Sequence, residues 1–436
     1  MGDTLRSPTV TTKLQHLAEQ AKHNPERVFT NLAHLIDVEF LREAYRRTRK
    51  SSAAGLDGVT AKVYAEHLEE NLCDLHERLR SGRYQAMPVV RVWIEKDDGG
   101  RRPIGKPAFE DKIVQRAVAM VLEAIYEQDF SESSYGFRPG RSPHQALQEL
   151  RRRCMEEGVG WVVDADVSGY FDSIDRGHLR DVLRRRVNDG SIIRLIGKWL
   201  RAGVMEDGDL YHPDSGVVQG GVISPVLANI FLHHVLDEWF EREVQPRLRG
   251  RSFLTRFADD WIIGCEVEAD AQRLMAVLPK RFARFSLSLH PEKTKLIEFG
   301  KPRLHKDSGS GNGTFDFLGL THYWTRSRRG YWVIHRRTAR KRLRRTKKAL
   351  WRWCRASRHL PLKDQHRMLC QKLRGHFQYY GIRGNYRLLM DVRQHAEKAW
   401  RYWLSRRSHK SAISWEKFQK LKAVFGLPIP KIVHQI

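Results

Sequence analysis

Gly160–Asp172 reads GWVVDADVSGYFD and Phe253–Cys265 reads FLTRFADDWIIGC. Gly160–Asp166 is an apolar, β-branched run of strand length that ends on a carboxylate. Phe253–Ala258 and Trp261–Cys265 form two more strands around Asp259-Asp260, which puts that acidic pair at a hairpin turn. Adjacent strands can then bring Asp166, Asp259 and Asp260 to one point. Three converging carboxylates offer the hard oxygen ligands that hold two Mg²⁺ ions about 4 Å apart for in-line phosphoryl transfer. An Asp-Asp pair is also ordinary turn chemistry. The apolar strands on both sides and the second acidic strand end favour the metal reading.

Composition narrows the partner. The 436 residues suit two or three domains, and 41% hydrophobic with 10% aromatic residues can build sizeable cores. Lys plus Arg total 78 against 51 Asp plus Glu, a formal net charge of +27. Such a surplus favours polyanions, nucleic acid first and an anionic membrane surface second. No apolar run approaches the roughly 18 residues of a membrane span. Met1–Thr12 is polar and lacks the apolar stretch of a signal peptide. Cys73, Cys154, Cys265, Cys354 and Cys370 are scattered and form no C-x-x-C pair, which supports neither a zinc ribbon nor a disulfide framework. Buried thiols in a reducing cytoplasm are the expectation.

The chain divides by pattern. Residues 1–30 are polar and read as an N-terminal arm or short helix. Leu32–Leu79 is helical, broken by a tight loop at Ala54–Gly58. Pro88–Glu95 alternates like a strand, Asp97–Gly100 (DDGG) is a hairpin turn, and Arg102–Ile104 begins the return strand. Glu110–Tyr126 and His144–Met155 read as helices. Asp175 caps a helix, and Ser224-Pro225 is a capping pair before an apolar helix. Lys306–Thr314 (KDSGSGNGT) is a linker or hairpin loop. Beyond about Arg326 strand signals fade, and a helical tail rich in Arg and aromatics is expected.

Several motifs stand in a familiar order: Ala54–Thr60 (AGLDGVT), 102–107 (RPIGKP), Tyr135–Ser142 (YGFRPGRS), Asp166–Asp172 (DVSGYFD), Gln219–Asn229 (QGGVISPVLAN), Phe257–Asp260 (FADD), Glu292–Lys295 (EKTK) and Phe315–Leu320 (FDFLGL). On these the chain resembles the group II intron reverse transcriptase/maturase family, over about residues 30–436. The resemblance implies an α+β right-hand polymerase. Its parts would be an N-terminal arm (1–30), fingers (31–160), a palm of antiparallel sheet plus helices (161–325) and an all-α thumb/maturase domain (326–436). It implies Asp166, Asp259, Asp260 and the backbone of Val167 around two Mg²⁺, for which Mn²⁺ can substitute. Phe171 falls at the family's aromatic gate, which excludes a 2′-hydroxyl and favours dNTPs. Gln219 lies along the incoming nucleotide, Lys96 and Arg102 would clamp its triphosphate, and Lys293 would assist pyrophosphate departure. Arg138 and Arg141 would contact template or nucleotide. Two departures stand out: Phe257 replaces a common Tyr, and Val218 replaces the usual Pro before the Gln.

Arg336, Arg337, Arg340, Lys341, Arg344, Arg345 and Lys348 make a basic segment dense enough to neutralise many phosphates. The tail resembles the family's thumb and maturase region, and no segment resembles its zinc-dependent endonuclease, so the compact form is expected. The implied activity is RNA-directed DNA synthesis from a DNA primer or target, with binding of the chain's own intron RNA to assist splicing, in a bacterial cytoplasm beside RNA and nucleoid. A domesticated reverse transcriptase in DNA repair, phage defence or spacer acquisition keeps the same chemistry. A non-catalytic RNA-binding splicing factor fits the basic surface but gives no reason for clustered carboxylates. The sequence leaves the oligomeric state open.

Overall fold

The computed structural model describes residues 9–95, 100–302, 313–408 and 412–436. Among these the strands are β1 Val89–Glu95, β2 Arg101–Lys106, β3 Trp161–Ala165, β4 Val204–Glu206, β5 Asp209–Tyr211, β6 Ser252–Phe257, β7 Asp260–Cys265, β8 Lys295–Glu298, β9 Phe315–Phe317, β10 Leu320–Arg326 and β11 Trp332–Thr338. They form three sheets, ordered β2-β1-β4-β5, β6-β7-β3-β8 and β11-β10-β9. Helices dominate the rest, so the fold is α+β.

The central sheet is antiparallel throughout, with Ala165 opposite Trp261 and Phe257 opposite Asp260. Both its faces are covered, which explains its nearly continuous apolar strands. Val163, Ala165, Trp261 and Ile263 face one core, built with the Ser224–Leu232 and Glu268–Ala283 helices. Val162, Ile262 and Phe253 face a second core shared with the Pro143–Glu156 helix and β9–β11. Trp261 stacks on Phe282 at 5.8 Å, fixing the 268–283 helix to the sheet.

The Phe109–Tyr126 helix is buried on nearly every side, at the centre of the N-terminal half. The expected N-terminal arm is a capped helix, Val10–His23, packed against it. Arg186 ties the end of that helix down by donating to the carbonyls of Ala21, Asn24 and Arg27 while pairing with Asp129. The tight loop at Ala54–Gly58 is present. A β-carbon at Gly55 would lie 2.8 Å from the Pro107 carbonyl carbon, so the loop closes directly on the chain after β2.

Five readings need correction or fall outside the described residues. Ser224 does not cap its helix; its Oγ instead donates to the Val218 carbonyl, and Ile223 precedes the first turn without a side-chain cap. Strand pairing continues past Arg326, since β11 pairs with β10 along its length and the helical tail begins at Arg340. The run WVIHRRT places three apolar residues before four polar ones, so its alternating burial leaves no alternation of residue type to read. Cys73 is exposed on the Leu68–Arg80 helix, whereas the other cysteines are buried, and all five are free. The turn at 97–99 and most of the 306–314 segment lie outside the described residues.

The tail is a helical unit with its own core. Arg340–Ala356, Leu362–Tyr380, Tyr386–Leu404 and Trp415–Val424 bury Leu350, Leu369, Leu373, Val392, Trp400 and Phe418 together. Trp400 is also held by polarity: its Nε1 donates to Gln365 Oε1 at 2.9 Å. No described helix is long and apolar enough to cross a membrane.

Candidate active site

Asp166 leaves the end of β3 and is held by a second segment that zips alongside. His290 N donates to the Asp166 carbonyl at 2.7 Å, Val167 bridges to Leu289, and Ser168 N donates to Ser288 O at 2.8 Å. The same segment brings Lys293, whose Nζ donates to Asp166 Oδ2 at 2.9 Å. The side chains of Lys293 and Asp166 stay 53% and 41% exposed, so this pair sits at an open cleft rather than in the core.

The hairpin between β6 and β7 turns on Ala258 and Asp259. Ala258 has φ +59°, the left-handed conformation that a two-residue hairpin loop demands and that normally selects Gly or Asn. The turn presents Asp259 toward Asp166. Burial is the main influence raising the Asp259 pKa above the usual carboxylate range; the Asp166 charge adds to it and Arg102 opposes it. Arg102, on β2, therefore faces the same spot from across the cleft.

Asp260 behaves differently. Its Oδ2 accepts the Leu318 N–H at 3.4 Å, beneath the turn that joins β9 to β10. Asp164 pairs with Ile262, which puts Asp164 and Asp260 diagonally on one sheet face. Burial pushes both carboxyls up to about 7, reinforced at Asp260 by the charge of Asp164 and at Asp164 by the charges of Asp316 and Asp166. Lys295 opposes the shift at Asp164. Among the described residues no three His, Cys, Asp or Glu side chains form a group that could hold a metal ion. Asp166 and Asp259 face the cleft, and Asp260, half-buried like them, feels both of their charges while accepting the Leu318 N–H.

Phe171 lies in a single helical turn, Tyr170–Ser173, entered through Gly169 at φ +55°. Tyr170 anchors that turn, its hydroxyl donating to Ala228 O at 2.6 Å, and the Phe171 ring packs edge-on to it at 5.4 Å. The Phe171 carbonyl accepts the Val217 N–H at 2.7 Å, which couples the ring to the loop carrying Gln219. That loop is also sewn to β2: Gly105 N donates to Gln219 O at 2.6 Å. Gly220, at φ +104°, is required because a β-carbon there would strike the Gly105 carbonyl. Val218, where the resemblance expects Pro, packs over Gly105, and a side chain on Gly105 would collide with it. Gln219 Oε1 is buried yet meets no hydrogen-bond partner among the described residues. Such an acceptor is costly unless a ligand satisfies it.

Other predicted residues divide sharply. Lys96 lies outside the described residues. Arg138 is buried and spent internally, pairing with Glu127 and donating to Ser131 O at 2.6 Å and Ser134 O at 2.8 Å. Arg141 pairs with Glu132 and lies over the Tyr135 ring. Arg336 is 2% exposed and donates to the carbonyls of Leu147 and Ile436. Burial, reinforced by Arg151, pushes its guanidinium down to about 10. Arg138 and Arg336 are therefore framework residues, not nucleic-acid contacts. Arg337, Arg340, Lys341, Arg344, Arg345 and Lys348 are exposed, and the last five line the outer face of the 340–356 helix, whose inner face buries Leu350 and Cys354. Arg352, on the same helix, reaches Glu95 at the tip of β1 at 3.5 Å, so the tail meets the far side of the cleft.

The motif reading missed Arg256, Asp237, Asn229 and the role of Gly136, which together hold the hairpin from behind. One signal existed: Arg256 is the lone charge in the buried run SFLTRF.

The reverse transcriptase (RNA-dependent DNA polymerase) family profile matches residues 94–322. Protein YkfC of Escherichia coli (strain K12) is 35% identical over 317 residues, covering 64% of this chain and 82% of that protein. The group II intron-encoded protein LtrA of Lactococcus lactis subsp. cremoris is also 35% identical, over 54% of this chain and 40% of its own length. Nuclear intron maturase 2, mitochondrial, of Arabidopsis thaliana is 32% identical over 32% of this chain. The chain thus spans less than half of the intron-encoded relative it matches.

Proposed function

The chain belongs to the group II intron reverse transcriptase/maturase family, and on that premise we propose that it is an RNA-directed DNA polymerase that extends a primer by two-metal nucleotidyl transfer and binds intron RNA to assist splicing and retrohoming. The observation that carries the reading is the strand pairing: Ala165 opposite Trp261 sets Asp166, at the end of β3, beside the β6–β7 turn that carries Asp259.

Asp166 and Asp259 would hold Mg²⁺, with the backbone of Val167 beside them. A pair suits this ion. Mg²⁺ commonly takes one or two carboxylates and completes its shell with substrate phosphates and water. When bound, two such ions activate a primer 3′-hydroxyl and neutralise charge on the leaving pyrophosphate. The chain's own groups do the positioning. Arg102 meets the triphosphate of a dNTP as a fork of N–H donors. Gln219 offers its unsatisfied amide oxygen to the nucleotide. The Phe171 ring, fixed by Tyr170, closes the space a 2′-hydroxyl would occupy. Lys293 balances Asp166 and carries a proton within the cleft. Asp260 supports the hairpin by accepting the Leu318 N–H. The exposed face at Arg337, Arg340, Lys341, Arg344, Arg345 and Lys348 would track RNA phosphates. In this reading residues 31–160 are fingers and the central sheet is the palm. The thumb begins with the 340–356 helix.

Primer extension on an RNA template with Mg²⁺ tests the reading. Asp259→Asn is expected to abolish extension while RNA affinity in a filter-binding assay stays at the parental level. Extension by the variant at the parental rate would overturn the assignment.

A further inference from the structure

Behind the hairpin lies an ion pair with no route to solvent. The side chains of Arg256 and Asp237 are both 0% exposed. Arg256 Nε donates to Asp237 Oδ1 at 2.7 Å and Nη2 to Asp237 Oδ2 at 2.5 Å. Nη1 donates to Asn229 Oδ1 and to the Ala258 carbonyl, both at 3.0 Å. Asn229 Nδ2 passes the chain of contacts on to the Gly136 carbonyl at 2.6 Å. Backbone bonds run in parallel, since Arg256 N donates to Ser133 O and Tyr135 N to Arg256 O.

Such a pair is a poor stabilising device. Desolvating two charges cancels most of their attraction, and apolar replacements are often as stable. Its value must lie in what it fixes. The planar fork spends one edge on Asp237 and directs the other at the carbonyl immediately before Asp259. Ala258 holds a left-handed φ of +59° without the freedom of glycine, so its peptide needs an external partner to stay oriented. Asp237 reaches Arg256 from a π-type stretch, His233–Asp237, a distortion that persists in helices mostly where it re-aims a functional side chain.

We propose that Arg256, oriented by Asp237 and Asn229, is the positioning residue of the site: it fixes the Ala258 carbonyl and through it the place of the Asp259 carboxylate. This rests on the reading of Asp259 as a metal ligand. Lysine can keep the charge against Asp237 but cannot reach Asn229 and Ala258 at once. Arg256→Lys should therefore lower kcat roughly ten- to a hundredfold, the usual cost of losing an outer-shell orienting contact. The KM for dNTP and the RNA Kd should stay within about twofold of the parent, and half-saturating Mg²⁺ should rise. Amide hydrogen exchange at Asp259 and Asp260 supplies a readout that needs no activity, and protection there should fall by at least roughly tenfold. Should Arg256→Lys fail to fold, Asn229→Leu keeps the ion pair, removes the Asn229 contacts to Arg256 and to the Gly136 carbonyl, and should show the same signature at smaller size. Parental kcat and parental exchange in a folded variant overturn the proposal, as does a kcat loss matched by equal losses in RNA binding and Tm. If the parent itself extends no primer, the polymerase reading fails instead, and the exchange measurement still decides whether Arg256 holds the hairpin.

Discussion

Gly136→Ala tests how tightly the site is built, because one methyl group is aimed at the backbone that carries Asp259. A β-carbon at Gly136 would lie 2.8 Å from the Phe257 carbonyl carbon, 2.9 Å from Ala258 Cα and closer still to Ala258 N. Ordinary contact begins near 3.4 Å, and every neighbour is main chain, so the two segments must part by roughly 1 Å. The loop cannot yield alone. Asn229 grips the Gly136 carbonyl, and the Tyr135 N–H is bonded to Arg256 O. The displacement therefore falls in part on the hairpin tip. Overpacking of this kind costs about 1–3 kcal/mol in stability, and a misplacement near 1 Å costs about a hundredfold in rate. Single-turnover primer extension at saturating dNTP and Mg²⁺ reads the rate, and thermal melting reads the stability. Gly140→Ala is the matched control. Gly140 lies in the same loop at φ +71°, and a β-carbon there would meet nothing within 4 Å. It should lose about 1–2 kcal/mol to left-handed strain and keep the parental extension rate. Parental rate in Gly136→Ala, or an equal rate loss in Gly140→Ala, refutes the close-approach argument.

Three further outcomes follow from the same structure. Phe171→Ala should let the enzyme incorporate ribonucleotides, read as a rise in the rNTP-to-dNTP ratio of kcat/KM; an unchanged ratio would mean the ring is only core. Replacing Arg340, Lys341, Arg344 and Lys348 together by Gln should weaken RNA binding and flatten the plot of log K against log salt by about 0.7 to 0.9 per lost phosphate contact, whereas Arg138→Gln should lower Tm and leave that slope alone. Asp164→Asn should raise Tm more at pH 8 than at pH 5. The Asp164 carboxyl titrates at about 7 in the folded chain, facing Asp260, Asp316, Asp166 and Lys295, against an ordinary value of 3.8. Between those values the folded state binds the extra proton, so stability falls as pH rises toward 7, and the amide removes that loss. A Tm gain that is equal at both pH values would contradict the shift.

Local signals carried most of the elements. The apolar strands around Asp166 and Asp259, the long helix at 109–126 and the aromatic-rich tail all announce themselves by period and composition. What stayed hidden depends on contacts between distant segments. Sequence spacing put Asp260 beside Asp259, but could not show that the Leu318 turn, 58 residues downstream, donates a backbone N–H to its carboxylate. The β11 strand was masked because two of its three buried positions, Arg336 and Thr338, are polar and only Ile334 is apolar. Ser224-Pro225 has the right residues for a cap, but the Val218 carbonyl competes for the hydroxyl.

Charge was the least legible property, and the reason bears on every basic protein of this kind. A net charge of +27 suggests that any arginine in a motif faces nucleic acid. Arg138, Arg186, Arg256 and Arg336 instead turn inward, where each guanidinium ties down carbonyls or carboxylates from segments far apart in the chain. Guanidinium suits that task because its donors radiate in fixed directions and it stays charged when buried. Density does not separate the two uses, since Arg336 and Arg337 are adjacent and one is buried while the other is exposed. Periodicity does. On the 340–356 helix Arg340, Lys341, Arg344, Arg345 and Lys348 occupy the face opposite Leu350 and Cys354, while Arg256 interrupts the apolar run SFLTRF. An arginine that breaks a buried strand marks a joint in the framework, and Arg256 is the joint on which the Asp259 hairpin turns.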